Sequence, residues 1–263
     1  MNAINVLCIG DIVGKPGRKA LEKQLKVITS ENKIHFVVAN IENAAGGFGV
    51  TKRIYKECSE FGIQAFTSGN HIFDKREIME DMESYSRLVR PANFPEGCPG
   101  DGYKTFKFNT IKIGIINLMG RVFMGSNLDC PFKKFDEIYD QIRNEVDIIF
   151  VDFHAETTSE KQAFFWYVDG RASLAWGTHT HIQTADDRIL PQGLGCLTDL
   201  GMTGIQDGIL GMERDPIIRR FLTQLPSRFV VPQLDDVIIN GIIATISVSD
   251  KKCTSINRIF DRF

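Results

Sequence analysis

"HFVVANIENAAGG", residues 35 to 47, opens with a β-branched, apolar run and closes on a carboxylate, a carboxamide and paired glycines. A run with no polar alternation fits a strand buried on both faces, as parallel strands are. We therefore place a strand over His35 to Ile41, with Glu42 and Asn43 just past its carboxyl end. The glycines allow tight backbone beside them. The same grammar recurs outward from this stretch. Further strands are expected at Asn5 to Ile9, Ile63 to Thr67, Lys112 to Asn117, Val146 to Asp152 and Leu174 to Trp176. Between them, Lys19 to Ser30 and Ile54 to Phe61 carry apolar residues at helical spacing, and Thr158 to Val168 starts with a Ser/Thr cap signal. Alternating strands and helices predict an α/β fold around a largely parallel sheet. Val89 to Tyr103 reads as a loop. From Arg188 onward antiparallel strands are expected at Ile189 to Thr198, Phe229 to Gln233, Val237 to Val248 and Cys253 to Ile259, with a helix near Pro216 to Gln224.

Length and composition suit one domain over residues 1–263, with room for a small cap or insertion. The 31 Lys and Arg residues nearly balance 33 Asp and Glu residues and are interspersed, so no broad face for duplex nucleic acid or membrane is expected. A local basic pocket stays open. No stretch has signal-peptide character or membrane-spanning length. The six cysteines lack CxxC spacing and read as free thiols of a reducing cytoplasm, so a cytoplasmic location is expected. A homo-oligomer is left open.

The chemistry gathers at strand ends. Asp11 follows the first strand, Glu42 and Asn43 the second, and Asn70 with His71, in "SGNHIF", the third. His154 follows "VDIIFVDF", and His179 and His181 follow "LAWGT". In an open parallel sheet these five ends share one rim, where ligands bind. Four of the five histidines fall there; His35, at the opposite end of its strand, reads as structural. Histidine with carboxylate and carboxamide predicts a metal site. "GDIVGKPG" lacks one residue and the Ser/Thr of a phosphate-binding Walker loop, and "NAAGGFGV" lacks dinucleotide spacing, so both of those readings fail.

The succession Gly10-Asp11, Glu42-Asn43, Gly69-Asn70-His71, His154 and Gly177-Thr178-His179-Thr180-His181 resembles the calcineurin-like metallophosphoesterases. Three departures, Val13 in place of a histidine, Glu42 in place of a bridging aspartate, and GTHTH as the last motif, resemble their YmdB-like branch, as do "GDIVGKPGR" and "NAAGG". The resemblance implies a calcineurin-like sandwich of mixed β-sheets flanked by helices. It also implies two metal ions, iron by family, with Mn, Zn or Co compatible with the donors. One ion would be held by Asp11, Glu42, Asn43 and His181, the other by Glu42, Asn70, His154 and His179, with Glu42 bridging.

The implied activity is hydrolysis of a small-molecule phosphodiester, a 2′,3′- or 3′,5′-cyclic nucleotide. Water activated between the ions would attack phosphorus, and His71 would protonate the leaving oxygen. Arg121, Phe123 and Phe48 are candidate pocket residues, with plain loop packing an equal alternative. Two other readings stay open: a phosphomonoesterase or 5′-nucleotidase, and a metal- or nucleotide-dependent regulator with residual hydrolysis.

Overall fold

A computed structural model describes residues 2–263. The chain begins with β1 (Ala3–Ile9), β2 (Asp11–Ile12), α1 (Gly14–Glu31), β3 (Phe36–Asn40), α2 (Lys52–Glu60), β4 (Ala65–Thr67) and α3 (Arg76–Glu80). Then come β5 (Tyr103–Phe108), β6 (Ile111–Met119), α4 (Pro131–Ile142), β7 (Ile148–His154), α5 (Thr158–Val168), β8 (Leu174–Thr178), β9 (Arg188–Ile189) and β10 (Gly195–Leu197). It ends with β11 (Met202–Ile205), α6 (Arg214–Thr223), β12 (Val237–Ser247) and β13 (Lys252–Arg262).

These strands form two sheets flanked by helices, the sandwich that the family resemblance implied, where strand–helix alternation alone suggested a single sheet. The first runs β2-β11-β12-β1-β3-β4, with β13 also on β12; the second runs β5-β6-β7-β8-β10-β9. Both are mixed: β1, β3 and β4 are parallel, while β12 lies antiparallel to β1. In the second sheet β6, β7 and β8 are parallel and β5 is antiparallel.

Side-chain alternation explains the stacking. Along β1, Ile4, Val6 and Cys8 join a core with Phe150, Leu174 and Trp176 of the second sheet. The intervening Leu7 and Ile9 join a core with Leu21, Leu25 and Ile28 of α1. With period two, one strand thus feeds both an inter-sheet core and a helix-facing core. On the far side, Ile149 and Val151 of β7 pack with Phe135 of α4 and Phe164 of α5. The result is a four-layer helix-sheet-sheet-helix sandwich. Burial of each such side chain contributes about 1.5–3 kcal/mol, so three cores sharing two sheets hold the layers in register.

Other differences have local causes. The single strand expected over Ile189 to Thr198 is split by a turn in which Gly193 N–H donates to the Leu190 carbonyl at 2.9 Å. Phe229 to Gln233 joins no sheet, being flanked by Pro226 and carrying Pro232, neither of which has an N–H for a ladder. At α5 the N-cap is Thr157, whose hydroxyl makes no cap bond. His35 is structural: its Nδ1 accepts from the Asn5 N–H at 2.9 Å.

Candidate metal centre

The carboxyl ends of β3 and β4 in one sheet, and of β7 and β8 in the other, open onto the same end of the sandwich. Register does this: Asn40 pairs with Thr67 and His154 with Thr178. Gly69 lets the sheets approach. A Cβ there would lie 2.3 Å from His154 Nε2 and Cδ2, so no other residue fits the first position of Gly69-Asn70-His71.

At the centre sits His154, fully buried. Its Nδ1 lies 2.9 Å from Thr178 Oγ1, and the Thr178 hydroxyl donates to Asp152 Oδ1 at 2.7 Å. Since the threonine proton goes to Asp152, its oxygen accepts from His154 Nδ1–H. The Nε2 lone pair then faces inward. Around that nitrogen stand Asn70 Oδ1 at 2.9 Å, Glu42 Oε1 at 3.1 Å and His179 Nδ1 at 3.1 Å. His179 Nε2 is tied to Glu156 Oε2 at 3.1 Å, so its Nδ1 also presents a lone pair inward. Four lone-pair donors within hydrogen-bond distance of one point repel one another unless a proton or a cation lies among them. Without metal the proton is the remedy. Burial alone would lower the pKa of His154, but the facing Glu42, then Asp11 and Asp152, push it up. Burial opposes the Glu42 carboxylate too, yet His154 and the His71 backbone N–H, 3.0 Å from Oε2, hold its pKa down. His179 is held well below the usual imidazole range, first by burial and then by His154. Glu42, His154 and His179 place their donor atoms within 4.8 Å of one another.

A second group of donors lies beside the first. Asp11 Oδ2 accepts from the His179 backbone N–H at 3.1 Å, while its Oδ1 is buried without a partner. Asn43 Nδ2 donates to the Gly47 carbonyl at 2.9 Å, and its Oδ1 is likewise buried and unpartnered. His181 gives Nδ1 to the Leu210 carbonyl at 3.1 Å, leaving Nε2 uncommitted. Burial raises the Asp11 pKa against the pull of His181 and His154. Each of these side chains has one polar atom tied off and another without a proton donor, an arrangement that a cation completes. Two buried carboxylates, two carboxamide oxygens and three imidazoles could accept two divalent ions.

His71 stands apart from both groups. Half-buried, it pairs Nδ1 with Asp74 Oδ2 at 2.8 Å, and Phe48 packs edge-on against its ring at 4.9 Å. Phe48 therefore lies against the imidazole of His71. Phe123 is 85% exposed, and Arg121, whose N–H donates to Glu160, follows Gly120, whose N–H donates to the His154 carbonyl at 2.9 Å.

Sequence reasoning passed over the residues that hold these side chains. Asp152 is buried, accepts from Thr178 and Thr67, and is pushed up to about 7 by its burial. Lys161, 2% exposed, reaches Asp199, 1% exposed, at 2.7 Å. Asp199 also accepts from Thr180 N–H and Oγ1 and from Gly201 N–H. It thereby pins the turn on which His179 and His181 adopt φ of 103° and 64°, backbone that non-glycine residues seldom accept. An aspartate two places before a strand-end histidine was the available signal for Asp152. Nothing local marks Lys161, one polar residue among several in the first half of α5.

The model of the YmdB-like protein family matches residues 7–259. A 2′,3′-cyclic-nucleotide 2′-phosphodiesterase of Bacillus subtilis strain 168 is 48% identical over 256 residues, covering 97% of this chain and 96% of the relative. The crystal structure of a novel phosphatase from Mycoplasma pneumoniae aligns at a TM-score of 0.93 and 34% identity, covering 100% of this chain and 94% of that one. That of a hypothetical protein from Thermus thermophilus aligns at 0.92 and 36% identity, covering 98% and 99%.

Proposed function

The chain belongs to the YmdB-like family, and from that membership we propose a metal-dependent phosphodiesterase that opens nucleoside 2′,3′-cyclic phosphates. The observation that carries the reading is the set of lone-pair donors around His154 Nε2, together with the orphaned oxygens of Asp11 and Asn43. Asp11, Glu42, Asn43 and His181 would hold one ion, and Glu42, Asn70, His154 and His179 the other, with Glu42 common to both. Iron is the proposed metal; Mn, Zn or Co suit the same nitrogen and oxygen donors. When bound, the ions supply positive charge for the phosphate oxygens and acidify a water.

The chain's own residues account for the rest. Asp74 accepts from His71 Nδ1, which orients the ring and leaves Nε2 to face the leaving oxygen. Phe48 restricts ring rotation from the side. As the P–O2′ bond breaks, His71 Nε2–H gives its proton to the 2′ oxygen. The water oxygen bonds to phosphorus, its protons reprotonate His71 and pass to solvent, and a 3′-phosphomonoester is left.

Elemental analysis of the purified protein, with turnover of a panel of 2′,3′- and 3′,5′-cyclic nucleotides and nucleoside monophosphates, tests this reading. We expect two bound ions, preference for the 2′,3′-cyclic substrates, and loss of activity on chelation, restored by Fe or Mn. His71→Ala should keep both ions yet lose about 10²- to 10⁴-fold in rate on the ribose leaving group. It should lose far less on bis(p-nitrophenyl) phosphate, whose phenolate departs without a proton. Equal loss on both substrates with depleted metal would make His71 a ligand instead.

A further inference from the structure

On the flank of the first sheet a cleft of about 660 Å³ is lined by six cations, Lys15, Arg18, Lys52, Arg53, Lys75 and Arg228, against one carboxylate, Glu77. In a chain with 31 basic and 33 acidic residues, a six-to-one ratio is a segregation of charge rather than an ordinary solvated surface. Two of the six are engaged: Arg18 with Glu57, and Lys52 with Asp81. Among the described residues, Lys15, Arg53, Lys75 and Arg228 form no ion pair, and Glu77 itself accepts the Lys52 backbone N–H at 2.5 Å. A second cleft, of about 480 Å³, adjoins the first at Arg228 and adds Arg219 against Asp215. The two clefts share the Arg228 wall and are together termed the track.

The wall of the first cleft is continuous in sequence with the segments that carry the candidate ligands. Ala45 and Gly46, on that wall, belong to the loop that begins with Glu42 and Asn43. Lys15 follows Gly14, whose N–H donates to the Asn43 carbonyl at 2.9 Å. Lys75 lies one residue past Asp74, the partner of His71. Each segment of the first sheet that carries a candidate ligand thus continues into the basic wall.

We propose that this track binds the phosphodiester backbone of single-stranded RNA whose 3′-terminal 2′,3′-cyclic phosphate is the substrate of the metal centre. The proposal rests on the phosphodiesterase reading above and extends it from mononucleotides to RNA ends. Four cations without ion pairs, Lys15, Arg53, Lys75 and Arg228, on a wall that continues the loops of a phosphate-ester site suit consecutive backbone phosphates. An anionic membrane would require the cations on a protruding face, whereas these line clefts.

The test uses the metal-loaded full chain and the variant Arg53→Glu/Arg228→Glu, both exposed positions remote from the ligands. Substrates are 2′,3′-cyclic AMP and a hexa-adenylate ending in a 2′,3′-cyclic phosphate. For the native protein KM should be about 10-fold or more lower for the hexanucleotide, with a log-log salt slope of roughly −0.7 per backbone phosphate neutralised. The variant should lose that advantage while turning over the mononucleotide normally, which also certifies its fold. An unchanged ratio of the two KM values between native protein and variant would overturn the track. Binding of a fluorescent hexa-adenylate 3′-phosphate, followed by anisotropy, separates the two layers of inference. If neither substrate turns over but the probe binds about 10-fold more weakly to the variant, the track stands and the hydrolytic reading falls. Probe displaced by phosphatidylglycerol vesicles but not by unlabelled oligonucleotide would assign the cations to a membrane and end the proposal.

Discussion

The two sheets furnish the candidate centre in different ways. From the first come Asp11, which opens β2, and Glu42, Asn43 and Asn70 on the loops after β3 and β4, oxygen donors of which two leave a buried oxygen with no partner. From the second come three histidines, each with its other ring nitrogen fixed, to Thr178, Glu156 or the Leu210 carbonyl. The first half is incomplete without a cation; the second is pre-aimed by protein alone. Metal binding is therefore expected to depend on charge in the first sheet and on buried scaffolding in the second.

Removing charge from the first sheet should have the largest effect. Glu42→Gln is expected to lose several kcal/mol of charge stabilisation, at least about 10³-fold in kcat, and to lower occupancy by both ions. Asn43→Ala, which removes one neutral oxygen, should cost less and deplete one ion; equal depletion in both variants, read by elemental analysis, would refute a shared Glu42.

The next effect falls on the scaffold of the second sheet. Lys161→Met leaves the Asp199 carboxylate buried without its cation, and about 3–5 kcal/mol of stability should go, measured by urea unfolding. Lys161→Met/Asp199→Asn, which removes the unpaired charge but keeps an acceptor for the Thr180 and Gly201 N–H groups, should recover part of it. The pair also predicts a pH dependence. Burial would raise Asp199, but Lys161, Thr180 and the Gly201 N–H hold it below the usual carboxylate range. A carboxylate depressed in the folded state adds stability that is complete above its unfolded pKa, about 3.9, and is lost as pH falls through the lower folded value. The double variant should show less of this acid loss than the native chain.

The smallest effect is expected from Asp152→Asn. It leaves every ligand in place but can reverse the proton direction through Thr178, so that His154 Nε2 no longer keeps its lone pair inward. Metal affinity should fall about 10- to 100-fold with little change in thermal stability of the metal-free protein. If affinity is untouched, the histidines of the second sheet are aimed by packing alone.

Much of this was readable in the chain. The runs in β3, β7 and β8 are buried on both faces, so their composition alone marks them, and the residues just past them stand out as rim positions. What was not legible is pairing. Periodicity reports whether a strand is buried but not which strand lies beside it, so the alternation of elements suggested one sheet and the division into two came only through the motif resemblance. β2 and β11 escaped for a related reason, being short segments made strands by their pairing, Asp11 with Met202 and Thr203 with Ile239. Phe229 to Gln233 has strand composition but no partner. Lys161 shows the same limit in the site, since a lysine on a helix reads as solvated until the fold sets Asp199 opposite it.

The pairing of β1 with β12, Ala3 beside Ser247, gives the centre a place in time. Gly10 N–H bonds to the Asn240 carbonyl and Asp11 N–H to that of Gly201, so the first rim position is held by strands made almost last. Such long-range contacts form late in folding. Coordination across the two sheets must wait for them, and an interaction absent from the transition state slows unfolding without hastening refolding. Bound metal should thus act as a brake on opening rather than as a nucleus, lengthening the lifetime of the closed sandwich while leaving its rate of assembly unchanged.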